Sequence, residues 1–431
     1  MTIDVGTLTI AQAVERLMRD GMPFRFEAYD GSVSGPEPDE APFVVRLNTE
    51  RGLAYLMTAP GDLGFARAFV AGDLEVDGVS LANPYELMVH VQSKLRLRLP
   101  TPTELLQIVR SLGISHLKPP PPPPEEHLPR WRRVVEGLRH SRTRDAEAIH
   151  HHYDVSNRFY ELVLGPSMTY TCAVYPTEGA SLEQAQRAKY ELIARKLDLG
   201  RGDRLLDVGC GWGGMVLHAA REHGVKALGV TLSRQQADWA QARIEAEGLG
   251  DLAEVRFGDY RDVGETGFDA VSSIGLIEHI GVRNYGDYFT FLRDRLRTGG
   301  RMLNHSITRR DGSVAPSAGA FIDRYVFPDG ELAPVGTIVT AMHDHGLEVR
   351  HVESIREHYA RTLQAWCENL EANWEAALGE VTLGTAKVWG LYMAGSRLAF
   401  ERGEIGLHHV LGVKTDDDGA ADFPLRPTWG S

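Results

Sequence analysis

The string Asp207-Val208-Gly209-Cys210-Gly211-Trp212-Gly213-Gly214 has the make-up of a ligand-cradling turn, because glycines permit a tight reversal and let backbone approach a bound molecule closely. Such a string is weakly diagnostic by itself. An enzyme for a dinucleotide would carry an acidic residue about 20 positions on, to hold the ribose. Here that stretch reads Thr231-Leu232-Ser233, which disfavours a nicotinamide cofactor. Asp259, within Gly258-Asp259-Tyr260, is either a turn or cap residue or an acceptor for a ligand. The three cysteines, Cys172, Cys210 and Cys367, lie far apart without CxxC spacing, so neither a zinc site nor a disulfide framework is predicted. His150, His151 and His152 are consecutive and would point different ways on a helix, so no metal ligand is assigned.

The elements that must hold these residues read as follows. From position 202 onward short apolar runs (204–208, 225–230, 254–257, 268–273 and 301–305) alternate with helical patterns (215–222, 234–247 and 285–296). Strand-helix repetition of this kind predicts an α/β fold, a parallel sheet wound with helices on both faces that binds ligands at the carboxyl ends of its strands. Helical stretches 361–378 and 384–402 and a strand at 407–413 are expected to cap that edge. Upstream, a β-type run at 43–47 and a helical pattern at 84–97 suggest a small α+β domain. The proline run at 119–124 predicts a stiff polyproline spacer. The resulting organisation is a small domain at 1–118, a proline-rich linker at 119–127, the wound sheet at 128–413, and a mobile acidic tail at 414–431.

At 431 residues, two domains are the natural expectation. A net charge of −13 argues against a nucleic-acid partner, which would need a basic footprint. The N-terminus lacks a secretory signal pattern and no stretch is apolar for long enough to span a bilayer, so the expected location is cytoplasmic, with at most peripheral membrane contact. Arg130, Arg132, Arg133, Arg139, Arg142 and Arg144 make one segment locally basic; it is either a solvated helix face or a patch for anionic lipid headgroups.

The glycine string resembles the first motif of S-adenosylmethionine methyltransferases. Further strings narrow the resemblance: His151 to Asn157 (HHYDVSN), Met168 to Ala173 (MTYTCA), Thr231 to Gln236 (TLSRQQ), Gly275 to Gly281 (GLIEHIG), Asn284-Tyr285, Tyr325 to Pro328 (YVFP) and His358 to Leu363 (HYARTL). In order and spacing they resemble the cyclopropane-fatty-acyl-phospholipid synthase family from about residue 150 to the C-terminus. The resemblance implies a Rossmann-like class I domain with a mainly parallel seven-stranded sheet. It also implies a cofactor site of Tyr170, Thr171, Asp207, Gly209, Cys210, Gly211, Gly213, Thr231, Leu232, Ser233, Gln236, Asp259 and Tyr260. The same resemblance assigns a catalytic bicarbonate ion to Cys172, Glu278, His305, Tyr359 and the backbone of Ile307. Taken singly these residues have plain alternatives, with Cys172 a small buried hydrophobe, Tyr359 a packing aromatic and His305 a satisfied core histidine. Where many relatives have a cysteine in a YLxxC context, this chain has Tyr392-Met393-Ala394-Gly395-Ser396, so no thiol nucleophile is expected there.

The implied reaction joins a sulfonium methyl to the double bond of an unsaturated acyl chain in membrane phospholipid, through a carbocation that then sheds a proton. Strings at 361–367, 392–402 and 407–411 look like the actinobacterial branch that forms a methylene group on the way to 10-methyl fatty acids. Ring closure to a cyclopropane is the alternative product. A small-molecule methyltransferase and a catalytically silent lipid-binding protein are the competing functions. The resemblance further implies homodimerisation, docking of the N-terminal domain on lipid at the inner face of the cell membrane, and a separate reductase acting on the methylene product.

Overall fold

The computed structural model describes residues 7–126, 155–312, 319–328, 330–421 and 423–429. The basic segment, the histidine tract and most of the HHYDVSN string therefore lie outside the described residues. The chain divides into two units. One comprises Met1–Leu128 with Ala320–Val326 and Leu370–Leu398, and the other comprises Pro129–Gly319, Phe327–Asn369 and Ala399–Ser431.

The first unit holds a four-stranded sheet ordered β2-β1-β3-β4, formed by β1 (Arg25–Ala28), β2 (Val33–Ser34), β3 (Val44–Leu47) and β4 (Leu74–Asp77). Gly64 lets the helix Asp62–Val70 cross close to its predecessor, since a Cβ there would sit 2.2 Å from the carbonyl oxygen of Ala59. The proline run is packed on this unit rather than free of it. Prolines leave their carbonyls without a local donor, and that of Pro121 accepts from the Tyr55 hydroxyl at 2.5 Å. Just beyond, the buried Glu126 carboxylate takes both forks of Arg67, at 2.6 and 2.7 Å.

The second unit is built on a seven-stranded sheet of order β10-β11-β9-β8-β5-β6-β7. Its strands are β5 (Arg204–Val208), β6 (Lys226–Thr231), β7 (Ala253–Phe257), β8 (Phe268–Ile274), β9 (Leu296–Arg309), β10 (Glu348–Ser354) and β11 (Ile405–Val413). The run from β9 through β7 is parallel, while β11 is antiparallel to both β9 and β10. Alternate side chains face opposite layers. Leu205, Leu303 and Leu411 pack with helices Leu182–Leu197, Gly214–His223 and Arg234–Ala246, whereas Leu206, Met302 and Val410 pack with Tyr285–Arg295 and Val335–Asp344.

One expectation is corrected here. The strand expected to cap the ligand edge instead enters the sheet as β11, because it presents apolar residues to both covered faces. Within the stretch expected to be a tail, Phe423 and Trp429 pack against the second unit's core, and the Arg301 guanidinium lies over the Phe423 ring.

Candidate active site

Strand order reverses between β5 and β8, and the turns leaving those two strands meet. After β5, Gly209, Gly211 and Gly213 all have positive φ (71°, 56° and 76°), a region costly for other residues. The amides of Gly209 and Cys210 both donate to the Val230 carbonyl, which anchors the loop to β6. A Cβ on Gly209 would lie 3.0 Å from Leu276 in the turn after β8, and one on Gly213 would lie 3.0 Å from Ala240. At the end of β5, burial pushes the Asp207 carboxyl up to about 7, opposed by the Ser272 hydroxyl that donates to it at 2.6 Å and by the field of Lys189.

The turn after β6 is held by its own polar side chains. The Thr231 hydroxyl donates to Gln236 Oε1 at 2.7 Å and accepts from the Ser233 amide at 3.2 Å, while Leu232 is half-buried. Gln236 Nε2 is buried and, among the described residues, has no hydrogen-bond partner. After β7, Asp259 Oδ1 accepts from the Arg261 amide at 2.9 Å, and its carboxylate pairs with the Arg261 guanidinium. Tyr260 is set edge-on to Tyr288 and Phe291, in the layer behind the strand ends.

On the other side of the reversal, the short helix Ile277–Ile280 carries Glu278, whose Oε1 accepts the Ile307 amide at 2.7 Å. Its Oε2 is buried without a partner among the described residues, and burial raises the carboxyl from 4.5 to about 7. Ile307 therefore spends its N–H on Glu278 in this structure. His305 lies two residues earlier on β9, fully buried, and burial with the nearby cations Lys189 and Lys196 holds its pKa well below the usual histidine value. Its imidazole is neutral at pH 7.

The segment 170–175 is stitched to the helix Arg356–Ala372. The Ala173 amide donates to the Thr362 hydroxyl at 3.0 Å and the Tyr175 amide to His358 Nδ1 at 3.0 Å. Cys172 is fully buried, its thiol donating to the Ala173 carbonyl at 3.1 Å, and burial keeps it protonated. Thr171 reaches the strand ends, accepting from Lys189 Nζ at 3.1 Å and lying 3.1 Å from where a Gly275 Cβ would stand. A line of aromatic rings runs through this region. Trp212 contacts Tyr160 (4.7 Å between centroids), Tyr160 contacts Tyr170 (6.0 Å), Tyr170 contacts Trp366 (5.4 Å), Trp366 contacts Tyr359 (6.0 Å) and Tyr359 contacts Phe400 (4.6 Å).

The glycine loop, the Thr231–Gln236 turn and Asp259 thus stand at the carboxyl ends of β5, β6 and β7, with Glu278, His305 and Ile307 at β8 and β9. Sequence reasoning did not single out Lys189, Lys196 or His409, which border His305; no local spacing signals them, because their neighbours come from other elements. Elsewhere, Glu191 Oε2 faces His218 Nε2 at 3.4 Å and His223 Nε2 at 3.0 Å, a cluster able to hold a divalent cation in which Arg195 also engages Glu191 Oε1.

A wound sheet with a glycine turn after its first strand and a polar turn after its second, with a buried amide nitrogen left to pair, defines a class I S-adenosylmethionine-dependent methyltransferase. Residues 140–410 match the family described as mycolic acid cyclopropane synthetase, and the chain belongs to that family. It is 59% identical over 425 residues to a probable fatty acid methyltransferase of Mycobacterium tuberculosis, covering 98% of this chain and 99% of the relative. It is 34% identical over 262 residues to the cyclopropane-fatty-acyl-phospholipid synthase of Escherichia coli K12, covering 60% of this chain and 66% of that one. Among solved structures, the mycolic acid cyclopropane synthase CmaA1 complexed with SAH and CTAB superposes with a TM-score of 0.58 at 30% identity, over 62% of this chain and 97% of that one.

Proposed function

We propose that this enzyme methylates the double bond of an unsaturated fatty acyl chain carried by membrane phospholipid, and that the product carries a methylene branch. The observation that carries the reading is Glu278: a buried carboxyl with one oxygen pinned by Ile307 and the other unpartnered, the pinning residue lying two positions after the neutral His305 on β9. Its fit to a bound anion is good in one respect above all. Burial already raises its pKa to about 7, and a bound anion beside it would raise it further, so that the protonated carboxyl would donate to that anion from Oε2.

The glycine loop would cradle the methionine portion of S-adenosylmethionine, Gln236 Nε2 and the Thr231 turn its middle, and Asp259 its adenine amino group. That cofactor supplies the electrophilic methyl which the alkene attacks, leaving a cation on the neighbouring carbon. The aromatic rings from Tyr170 to Phe400 stabilise such a cation and keep water away from it. Bicarbonate would supply a base that takes a proton from carbon. Glu278 and His305 would hold it, with Tyr359 and the Cys172 segment closing the cavity. Loss of a proton from the new methyl closes a ring; a hydride shift before that loss gives the exocyclic methylene, which a separate reductase would consume.

No helix among the described residues is long and apolar enough to cross a membrane. In the first unit Leu97, Leu99, Leu105, Leu106, Ile114 and Leu117 all stand exposed, apolar material suited to the interface of the cytoplasmic leaflet. Dimer formation through the same unit is the alternative use of that surface.

The test is fragmentation mass spectrometry of phospholipid incubated with enzyme and labelled S-adenosylmethionine. The expected product is an acyl group heavier by one carbon, with a fragment pattern placing an exocyclic methylene branch on the chain. A ring product refutes the methylene assignment. Unaltered chains, under conditions where the cofactor is bound, refute the lipid reading.

A further inference from the structure

Glu353 on β10, His409 on β11 and His305 on β9 occupy a single row across three adjacent strands. Glu353 is the cross-strand partner of His409, and His409 of His305. Residues directly opposite on paired strands share a face. Onto that face the helix Leu182–Leu197 lowers Lys196, whose ammonium lies between the Glu353 carboxylate and His409 Nδ1, 2.9 Å from the latter. His409 Nε2 in turn meets His305 Nδ1 at 2.8 Å. Lys196, His409 and His305 are buried, while the Glu353 side chain is 38% exposed and reaches water.

The direction of every hydrogen bond in this row follows from one group. A lysine ammonium has three donors and no acceptor. Paired with Glu353, it donates to His409 Nδ1, which leaves the proton of a neutral His409 on Nε2. That N–H donates to His305 Nδ1, which leaves the His305 proton on Nε2. Neither ring escapes the constraint by becoming an imidazolium, since both are buried beside Lys196 and Lys189. Among the described residues no group engages His305 Nε2, so it is the nitrogen left for a ligand.

We infer that Lys196 and His409 are positioning residues that lock His305 as the Nε2–H tautomer, presenting a fixed hydrogen-bond donor to the anion that collects the reaction's proton. The inference rests on the proposed reading of His305 as a holder of that anion. Its logic parallels the carboxylate that fixes a catalytic histidine's tautomer in serine hydrolases, except that a cation drives the relay and the donor end faces the site. The order of charges also explains the cross-strand pairing. Burial lowers the Lys196 pKa and the Glu353 carboxylate on the edge side opposes that, favouring the ammonium, which aims both imidazoles inward.

The experiment is nitrogen-15 NMR of the full chain labelled at histidine, at pH 7.5, with His409→Gln used for assignment. The expected result is a His305 resonance pair with Nε2 protonated and Nδ1 bare, and a mixture of tautomers once Lys196→Met removes the cation. Kinetics supply the second arm. His409→Leu should lower kcat by at least about tenfold with KM for S-adenosylmethionine unchanged, whereas His409→Gln, which keeps an amide N–H near the former Nε2, should restore most of it. A wild-type His305 protonated on Nδ1 overturns the inference, as does equal kcat in the two His409 variants. Methyl transfer that ignores bicarbonate depletion, with the tautomer as stated, would count against the bound-anion reading and leave the relay standing.

Discussion

Glu278 holds its proton more tightly in the folded protein than in the unfolded chain, because burial penalises the carboxylate and only the Ile307 amide opposes it. A raised pKa of this kind favours folding most fully below the unfolded value near 4.5, and the contribution fades as pH rises through about 7. By pH 8 the ionised group costs the fold about 3 kcal/mol relative to a group with no shift. Glu278→Gln keeps an oxygen for Ile307 and cannot ionise, so its melting temperature should exceed that of the wild type at pH 8 and converge with it at pH 5, as read by scanning calorimetry. Glu278→Ala, which removes the Oε2 donor as well as the acceptor for Ile307, should lose at least about a hundredfold in methyl transfer while binding S-adenosylhomocysteine normally by titration calorimetry. A fully active variant would remove Glu278 from the chemistry. The identity of this residue was legible from its motif string; that one oxygen is pinned and the other free was not, because Ile307 lies 29 positions away.

At the scale of elements, the sequence pattern located β5, β6 and β8 to within a residue or two, since buried central strands read as near-continuous apolar runs, and it located β7, an edge strand, by the alternation of buried Ala253 and Val255 with exposed or half-buried neighbours. The strand Glu348–Ser354 escaped it, being an edge strand in which only Val349 and Val352 are apolar and the two do not alternate with the polar residues. The helix Leu182–Leu197 escaped for a related reason: Gln186, Lys189 and Lys196 take buried places on it, so its inward stripe does not look apolar. One helix expected over 361–378 is interrupted, ending at Ala372 and restarting after Asn373. The glycine loop makes the element-scale prediction. Gly213→Ala places a Cβ 3.0 Å from Ala240 at a φ of 76°, a strain of about 1–2 kcal/mol that the loop relieves by shifting. Binding of S-adenosylhomocysteine should weaken by about tenfold, whereas a methyl at the open Gly250, where nothing stands within 4 Å, should leave it unchanged.

For the molecule as a whole, the two units draw on separated stretches of chain: Ala320–Val326 and Leu370–Leu398 cluster with the N-terminal 128 residues. No composition shift marks those crossings. The first unit's exposed apolar residues supply the prediction at this scale. Leu99 and Ile114 are 93% and 72% exposed, so a charge at each should leave the fold intact. The double variant Leu99→Glu/Ile114→Glu should cosediment less with anionic phospholipid vesicles and lose activity on vesicles while retaining it on detergent-dispersed lipid. An unchanged vesicle profile together with a shift from dimer to monomer in sedimentation would assign the surface to self-association instead.

The amino-acid sequence alone determined the wound sheet, the cofactor turn and the family, because apolar periodicity, glycine spacing and contiguous motif strings are local properties of a chain. Only the tertiary structure decided what surrounds the reacting groups. The pairing of Glu353, His409 and His305 across three strands, the arrival of Lys196 from a helix more than a hundred residues away, and the burial that moves Glu278 to about 7 are consequences of register and packing. Hydrogen-bond direction and proton affinity depend on neighbours in space, and those neighbours are fixed only when the sheet closes.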